Sequence, residues 1–342
     1  MNNGEMRTVV LFGATGTVGA YAAIALQEAG YDVVAVGRRK SDNGFFNDRG
    51  MKYVSMDITD RESYEVLPQK EVYAVVHLAG AIPARMQGYC PQTYIDSIMT
   101  GTLNVLDYCV SVSANRIVFA QSVADVSYMY GDNVLIPADA VQRFPLNDDH
   151  SVYSICKNAA VNLIEHYYVK YGLKRFVLRF PNIYVYHPNP FYFYDGEKRW
   201  QSYRLLIERA KQGLPIELWG NPELQRDMVY VKDCVQIITK SLSAQVDGGM
   251  YNVGTGVGTS MRKQIEGMIE VFSPKEKPSQ IIERPEKPDT ASYIMDVSKT
   301  IEELGYQPQY VYLSYLKDMK NEMETEPFKQ LWGIGKDYYA NS

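Results

Sequence analysis

The sequence predicts an α/β chain in which a doubly wound parallel sheet comes first and a smaller α/β region follows. Three observations predict it. Over the first 180 residues, short apolar runs rich in β-branched residues alternate with helix-length segments. The runs are apolar on both faces, as strands covered by helices on both sides must be. A glycine-rich turn, "GATGTVG", follows the first run and opens a helical pattern.

In chain order the candidate strands are Thr8 to Phe12, Asp32 to Val36, Tyr53 to Met56, Tyr73 to Leu78, Arg116 to Ala120 and Arg175 to Phe180. The segments between them are long enough for helical crossovers, which parallel pairing requires. The first helix, Ala20 to Ala29, is alanine-rich and stops at Gly30. Between Ser151 and Tyr171, apolar residues at Cys156, Ala160, Leu163, Ile164 and Tyr167 mark one helical face, and Gly172 follows.

After Asn182 the texture changes. "YVYHPNPFYFYDGEKRW" has no clear period and reads as loop and substrate-side surface. Helix-like "YRLLIERAKQG", the loop "LWGNPELQRDMVYVKD", a strand near Met250 to Val253 and an αβ tail from about Arg284 complete the chain. The expected organisation is a dinucleotide-binding domain over 1–180, with a returning segment around 227–255, and a mainly substrate-binding region over 181–342.

The chain has 342 residues, 46% hydrophobic and 22% charged, which suits a soluble globular protein. A net charge of −5 without long runs of one sign offers no tract for nucleic acid or a membrane surface. The four cysteines, Cys90, Cys109, Cys156 and Cys234, are widely spaced and have no histidine cluster. A zinc site and a disulfide framework are therefore not expected, and a reducing cytoplasm is the simplest compartment. Glycines interrupt the apolar stretch from Val9 to Leu26, so it reads as strand and helix, not as a targeting or spanning segment.

The turn carries Gly13, Thr15, Gly16, Thr17, Val18 and Gly19 between strand and helix. Glycine lets the backbone approach a pyrophosphate, and the new helix's free N–H groups attract that anion. This context makes the sheet Rossmann-type. NAD sites often place an acid at the end of the second strand, about 20 residues on, whereas an arginine nearby accommodates the 2′-phosphate of NADP. Asp32 has nearly that spacing but begins its strand. The strand ends at Gly37, followed by Arg38 and Arg39, so NADP(H) is preferred over NAD(H).

A tyrosine and a lysine four residues apart occur twice, at Tyr153/Lys157 and Tyr194/Lys198, which 28 tyrosines make cheap by chance. Helical context separates the copies. Tyr153 and Lys157 lie one turn apart on one helix, while Tyr194 and Lys198 straddle the turn signal Asp195-Gly196. A tyrosine titrating near 10 needs a neighbouring cation to serve as a general base near neutrality, and Lys157 supplies one. The partner hydroxyl is sought at a strand end, where "RIVFAQS" terminates in Ser122.

These pieces resemble the extended short-chain dehydrogenase/reductases, the NAD-dependent epimerase/dehydratase family, most of which act on sugar nucleotides. The likeness runs in order through "GATGTVG", "MDI", "HLAG", "GTLNVLD", "FAQS", "YSICK", "LRFPNIY", "QRDMVYVKD", "YNVGTG" and "LGYQP". It implies Tyr153 as acid/base, Lys157 as its electrostatic and ribose partner, and Ser122 as the hydroxyl polarising the substrate oxygen. Asp57, Ile58, Leu78, Ala79, Gly80 and Pro181 would join the glycine turn around the cofactor. Asn182, Arg226 and Arg284 would meet the substrate diphosphate; the local alternatives are a turn cap for Asn182, a salt bridge to Asp227 for Arg226 and a solvated charge for Arg284. His77 reads as structural. A homodimer is implied by resemblance alone.

The resemblance also bears on the reaction. Dehydratases of the family carry an Asp-Glu pair after the strand-end hydroxyl, where this chain has Val123-Ala124. The cysteine of the 3,5-epimerase/reductases is missing as well. Epimerisation at C4 and reduction of a 4-keto sugar remain, with a non-sugar ketone reductase and a non-catalytic NADP sensor as alternatives. Ser97 and Ile98 stand where asparagine is common, and the stretch "YMYGDNVLIPADAVQRF" between Ser122 and Tyr153 is longer than usual.

Overall fold

The computed structural model describes residues 6–131, 135–147 and 150–339. Seven strands form one sheet: β1 (Thr8–Phe12), β2 (Asp32–Gly37), β3 (Lys52–Ser55), β4 (Val72–His77), β5 (Arg116–Ser122), β6 (Lys174–Phe180) and β7 (Gly248–Asn252). Their spatial order is β7-β6-β5-β4-β1-β2-β3, and every pairing is parallel. The order reverses between β1 and β4, which opens a crevice at the carboxyl ends of those strands. The Rossmann-type doubly wound sheet follows from the two-sided apolar runs: Val9, Val10, Leu11 and Phe12 are all fully buried, alternating between two core layers.

The principal helices are α1 (Thr17–Glu28), α2 (Gly101–Ser111), α3 (His150–Tyr171), α4 (Ser202–Lys211), α5 (Val231–Ser243), α6 (Met261–Phe272) and α7 (Tyr312–Thr325). Crossovers are not uniformly helical. Between β2 and β3 the only regular element is the 3₁₀ turn Asn47–Arg49, because Asp42 accepts from the Gly44 and Phe46 N–H groups and folds the chain back early. Ahead of α2, the helix from Pro91 widens through the π turn Ile95–Thr100, where Ser97 Oγ donates to Thr93 O and accepts from Ala81 N.

The second half of the aromatic stretch read as loop is a β-hairpin, and residues 185–190 before it are irregular. Phe191–Tyr194 pairs antiparallel with Glu197–Trp200 around Asp195 and Gly196, both at positive φ, the geometry that an Asp-Gly turn favours. Tyr194 and Lys198 thus sit on opposite strands, and Lys198 Nζ rests over the Phe191 ring at 4.1 Å. The long stretch after Ser122 starts as a 3₁₀ turn, Val123–Met129, and its strand Leu135–Ile136 pairs with Ile294–Met295; its residues 132–134 lie outside the described ones. Cys109, Cys156 and Cys234 are buried free thiols, and Cys90 is an exposed one. No helix among the described residues is long and apolar enough to cross a membrane.

Candidate functional site

The glycine turn is built by close approach. A Cβ on Gly19 would lie 2.0 Å from the Gly13 carbonyl oxygen, and one on Gly13 would lie 2.8 Å from Ala79 N and 2.9 Å from the Leu78 carbonyl carbon. Gly13 also holds φ +88°, which a side chain would strain. The turn therefore presses on the chain just past β4, where Leu78 and Ala79 meet Gly13 and Gly80 follows; Thr15 and Gly16 continue the turn, and Thr17 and Val18 open α1. Helix α1 has neither a side-chain cap nor an acid in its first turn, so its N-terminal amides are open to an anion.

At the end of β2, a Cβ on Gly37 would meet Thr15 Oγ1 at 2.7 Å and Cγ2 at 2.9 Å. The place where a ribose-binding acid could stand is filled. Arg38 is exposed and has no hydrogen-bond or ion-pair partner among the described residues, whereas Arg39 donates to Leu331 O. Beyond β3, one oxygen of the exposed Asp57 accepts from both the N–H and the hydroxyl of Thr59, and Ile58 is buried. These residues fit a bound dinucleotide.

Ser122 is the last residue of β5, and Tyr153 and Lys157 lie on the first turns of α3. Ser122 lies beside the Tyr153 phenol and favours its ionised form, while Ser122 Oγ accepts from the Ala124 N–H at 3.2 Å. Lys157 Nζ donates to Ala120 O at 2.7 Å, lies 4.7 Å from the Phe119 ring centroid and 5.9 Å from that of Tyr153. Burial pushes Tyr153 up to about 12, a rise that Ser122 opposes and the Asp125 charge reinforces. Burial pushes Lys157 down to about 8. A buried ammonium held by a carbonyl and no carboxylate is costly, and such perturbed groups cluster at functional sites.

His77, fully buried, shares a hydrogen bond with Thr102 Oγ1 at 3.1 Å, leaves Nδ1 unpartnered and is pushed down to about 3 by burial. It is neutral and packs against Phe12 and Phe119. Sequence reasoning missed the buried pair Asp125–Arg179, joined at 3.0 Å. A signal existed: Arg179 is the one charged residue inside the otherwise apolar "FVLRF" run of β6.

Asn182 and Arg226 meet at Tyr293. The Asn182 N–H donates to Tyr293 Oη at 3.3 Å, and the Arg226 guanidinium lies 5.5 Å from the Tyr293 ring centroid while donating to Ala291 O. Arg226 does not pair with Asp227, whose carboxylate accepts from Thr255, Gly256 and Met295. Tyr293 packs on Tyr130 at 5.0 Å, and Tyr130 Oη donates to Val123 O, next to Ser122. Arg284 stands apart from this group. Its guanidinium pairs with Glu217 at 3.1 Å, and no hydrogen bond joins it to Asn182 or Arg226 among the described residues. Pro181 is buried directly after β6.

Comparison with known proteins gives consistent likenesses. A putative UDP-glucose 4-epimerase of Methanocaldococcus jannaschii is 26% identical over 316 residues, covering 92% of this chain and 98% of that one. A solved UDP-glucose 4-epimerase of Thermotoga maritima with UDP-glucose superposes with a TM-score of 0.71 at 22% identity, over 92% of this chain and 99% of the other. A Thermus thermophilus UDP-glucose 4-epimerase complexed with NAD gives 0.69 at 21% identity, over 98% and 99%. At these identities the two structures speak for the fold. Residues 9–254 match the family model described as NAD dependent epimerase/dehydratase family, and the chain belongs to that family.

Proposed function

We propose that the chain interconverts the C4 epimers of a UDP-sugar, with Ser122, Tyr153 and Lys157 as the groups that act on the reacting alcohol. The observation that carries this reading is the placement of Ser122, at the end of β5, beside the phenol of the buried Tyr153, with the Lys157 ammonium 5.9 Å from the same ring's centroid. A nicotinamide dinucleotide, held by Gly13 to Gly19, Asp57, Ile58, Leu78 to Gly80 and Pro181, supplies the hydride acceptor and donor when bound. Tyr153 Oη takes the proton of the sugar's 4-hydroxyl and later returns it. The Ser122 hydroxyl donates to the same oxygen, and Lys157 stabilises the phenolate and holds the nicotinamide ribose. Net inversion requires the sugar to offer either face while its diphosphate stays fixed, the task assigned to Asn182 and Arg226. Residues 1–180 and the returning β7 segment serve the cofactor, and the remainder mainly the sugar nucleotide.

Incubation with UDP-glucose and UDP-glucuronate, followed by chromatography of the products, tests the reading. Epimer formation without net cofactor consumption is expected. Stoichiometric consumption of reduced cofactor on a 4-keto sugar would instead make the chain a reductase.

The cofactor reading is NADP(H). Relatives of solved structure hold NAD, but here Gly37 leaves no carboxylate for a ribose diol and Arg38 is unengaged. A charge-assisted contact contributes about 1.5–3 kcal/mol, so Arg38→Glu should weaken NADPH binding roughly 10- to 100-fold and leave NADH nearly unchanged. Fluorescence titration of both cofactors decides it, and a wild-type preference for NADH would overturn it.

Arg226→Ala should raise KM for UDP-glucose about 10- to 100-fold with a smaller change in kcat, because a diphosphate contact is made equally in ground and transition states. Unchanged KM would count against a diphosphate substrate.

A further inference from the structure

From Ile117 to Phe119 β5 is apolar, and its ladder with β4 ends there opposite His77. Just beyond that point, two of its backbone groups are held by side chains. Lys157 Nζ donates to Ala120 O at 2.7 Å, and the Ser122 N–H donates to Gln121 Oε1 at 2.8 Å. The other end of the same amide, Gln121 Nε2, donates to Asn158 Oδ1 at 2.8 Å. Gln121 is 2% exposed and Asn158 9%, and Asn158 is the residue next to Lys157 on α3. Both ends of the Gln121 amide are thus assigned: a flipped amide would set donor against donor at Ser122.

We infer that Gln121 and Asn158 are positioning residues that set the separation between the strand end bearing Ser122 and the helix bearing Tyr153 and Lys157. The inference rests on the catalytic reading of those three residues. Neither amide touches the reacting atoms in that reading. The clamp acts through the backbone of Ser122, whose side chain lies beside the Tyr153 phenol, and a displacement of about 1 Å there is enough to lower the rate of a proton transfer substantially. Nothing in the tyrosine-lysine spacing requires an amide at either position, so the pair is a property of this chain's own strand end.

The test is a double-mutant cycle with UDP-glucose as substrate. Gln121→Leu is expected to lower kcat about 10- to 100-fold while KM stays within about 3-fold. Added to Ser122→Ala, it is expected to lower kcat by less than about 2-fold further, since the hydroxyl it positions is already gone. Wild-type kcat in Gln121→Leu, or the same loss in both backgrounds, overturns the inference and leaves the catalytic reading standing. Wild-type turnover in Ser122→Ala alone overturns the catalytic reading and the clamp with it. Asn158→Leu, which keeps the Ser122 N–H paired to Gln121, carries the same cycle if Gln121→Leu does not accumulate folded, and thermal melts separate loss of fold from loss of geometry.

Discussion

Tyr153→Phe should lower kcat by about 10²- to 10⁴-fold, the span that a positioned acid/base contributes, while the protein should stay folded and bind its cofactor as before. The ring remains packed edge-on against Tyr94 at 5.9 Å, and the substitution removes only the hydroxyl. The wild-type rate should rise with pH on a limb belonging to Tyr153, because only its phenolate can take the proton of the sugar's hydroxyl. Burial holds that group up at about 12, so the ammonium of Lys157 and the oxidised nicotinamide ring must bring it down in the ternary complex. The Phe variant should lack the limb altogether. Stopped assays across the pH range, paired with cofactor titration, check both halves. Full turnover in the variant would remove Tyr153 from the chemistry, whereas lost turnover with retained cofactor binding would exclude a purely sensory role.

What could be read in the sequence was what is local. Gly13, Gly16 and Gly19 announce their turn because each close contact falls within the βα unit or on the strand beside it. Tyr153 and Lys157 share a helix, so spacing alone sets them on one side. The hairpin at Phe191–Trp200 was hidden by its composition: aromatic residues at consecutive positions erase the alternation of a strand, and only Asp195-Gly196 signalled the turn. Contacts that depend on distant segments left little trace. Asn182 and Arg226 become neighbours through Tyr293, and Trp332 Nε1 reaches back to Thr15 O in the glycine turn across 317 positions. Gln121 and Asn158 are 37 residues apart, and each alone looks like an ordinary amide.

Asp125→Ala should destabilise the fold by about 3–5 kcal/mol, the largest stability effect expected of a single side chain near the site. Arg179 and Asp125 are each 1% exposed in their side chains. Arg179 Nε donates to both carboxylate oxygens, at 3.0 and 3.2 Å, and Nη1 donates to Ala138 O and Asn252 Oδ1. The pair therefore ties the turn after Ser122 to the carboxyl ends of β6 and β7. Removing Asp125 strands a guanidinium that cannot shed its proton. The converse change is milder. In Arg179→Met the carboxyl can neutralise itself, and burial already raises its pKa despite the arginine. A carboxyl whose folded pKa lies above its unfolded value, about 4, binds more protons folded than unfolded within that interval. The stability of Arg179→Met should accordingly fall as pH rises from about 4 toward the raised value, while the deficit of Asp125→Ala persists across it. Asp125→Leu combined with Arg179→Met, leaving no charge to bury, should recover much of the loss. Urea unfolding of the four proteins at two pH values resolves the ranking. Equal stability of Asp125→Ala and wild type would mean that water reaches Arg179, and that the pair does not hold the strand ends together.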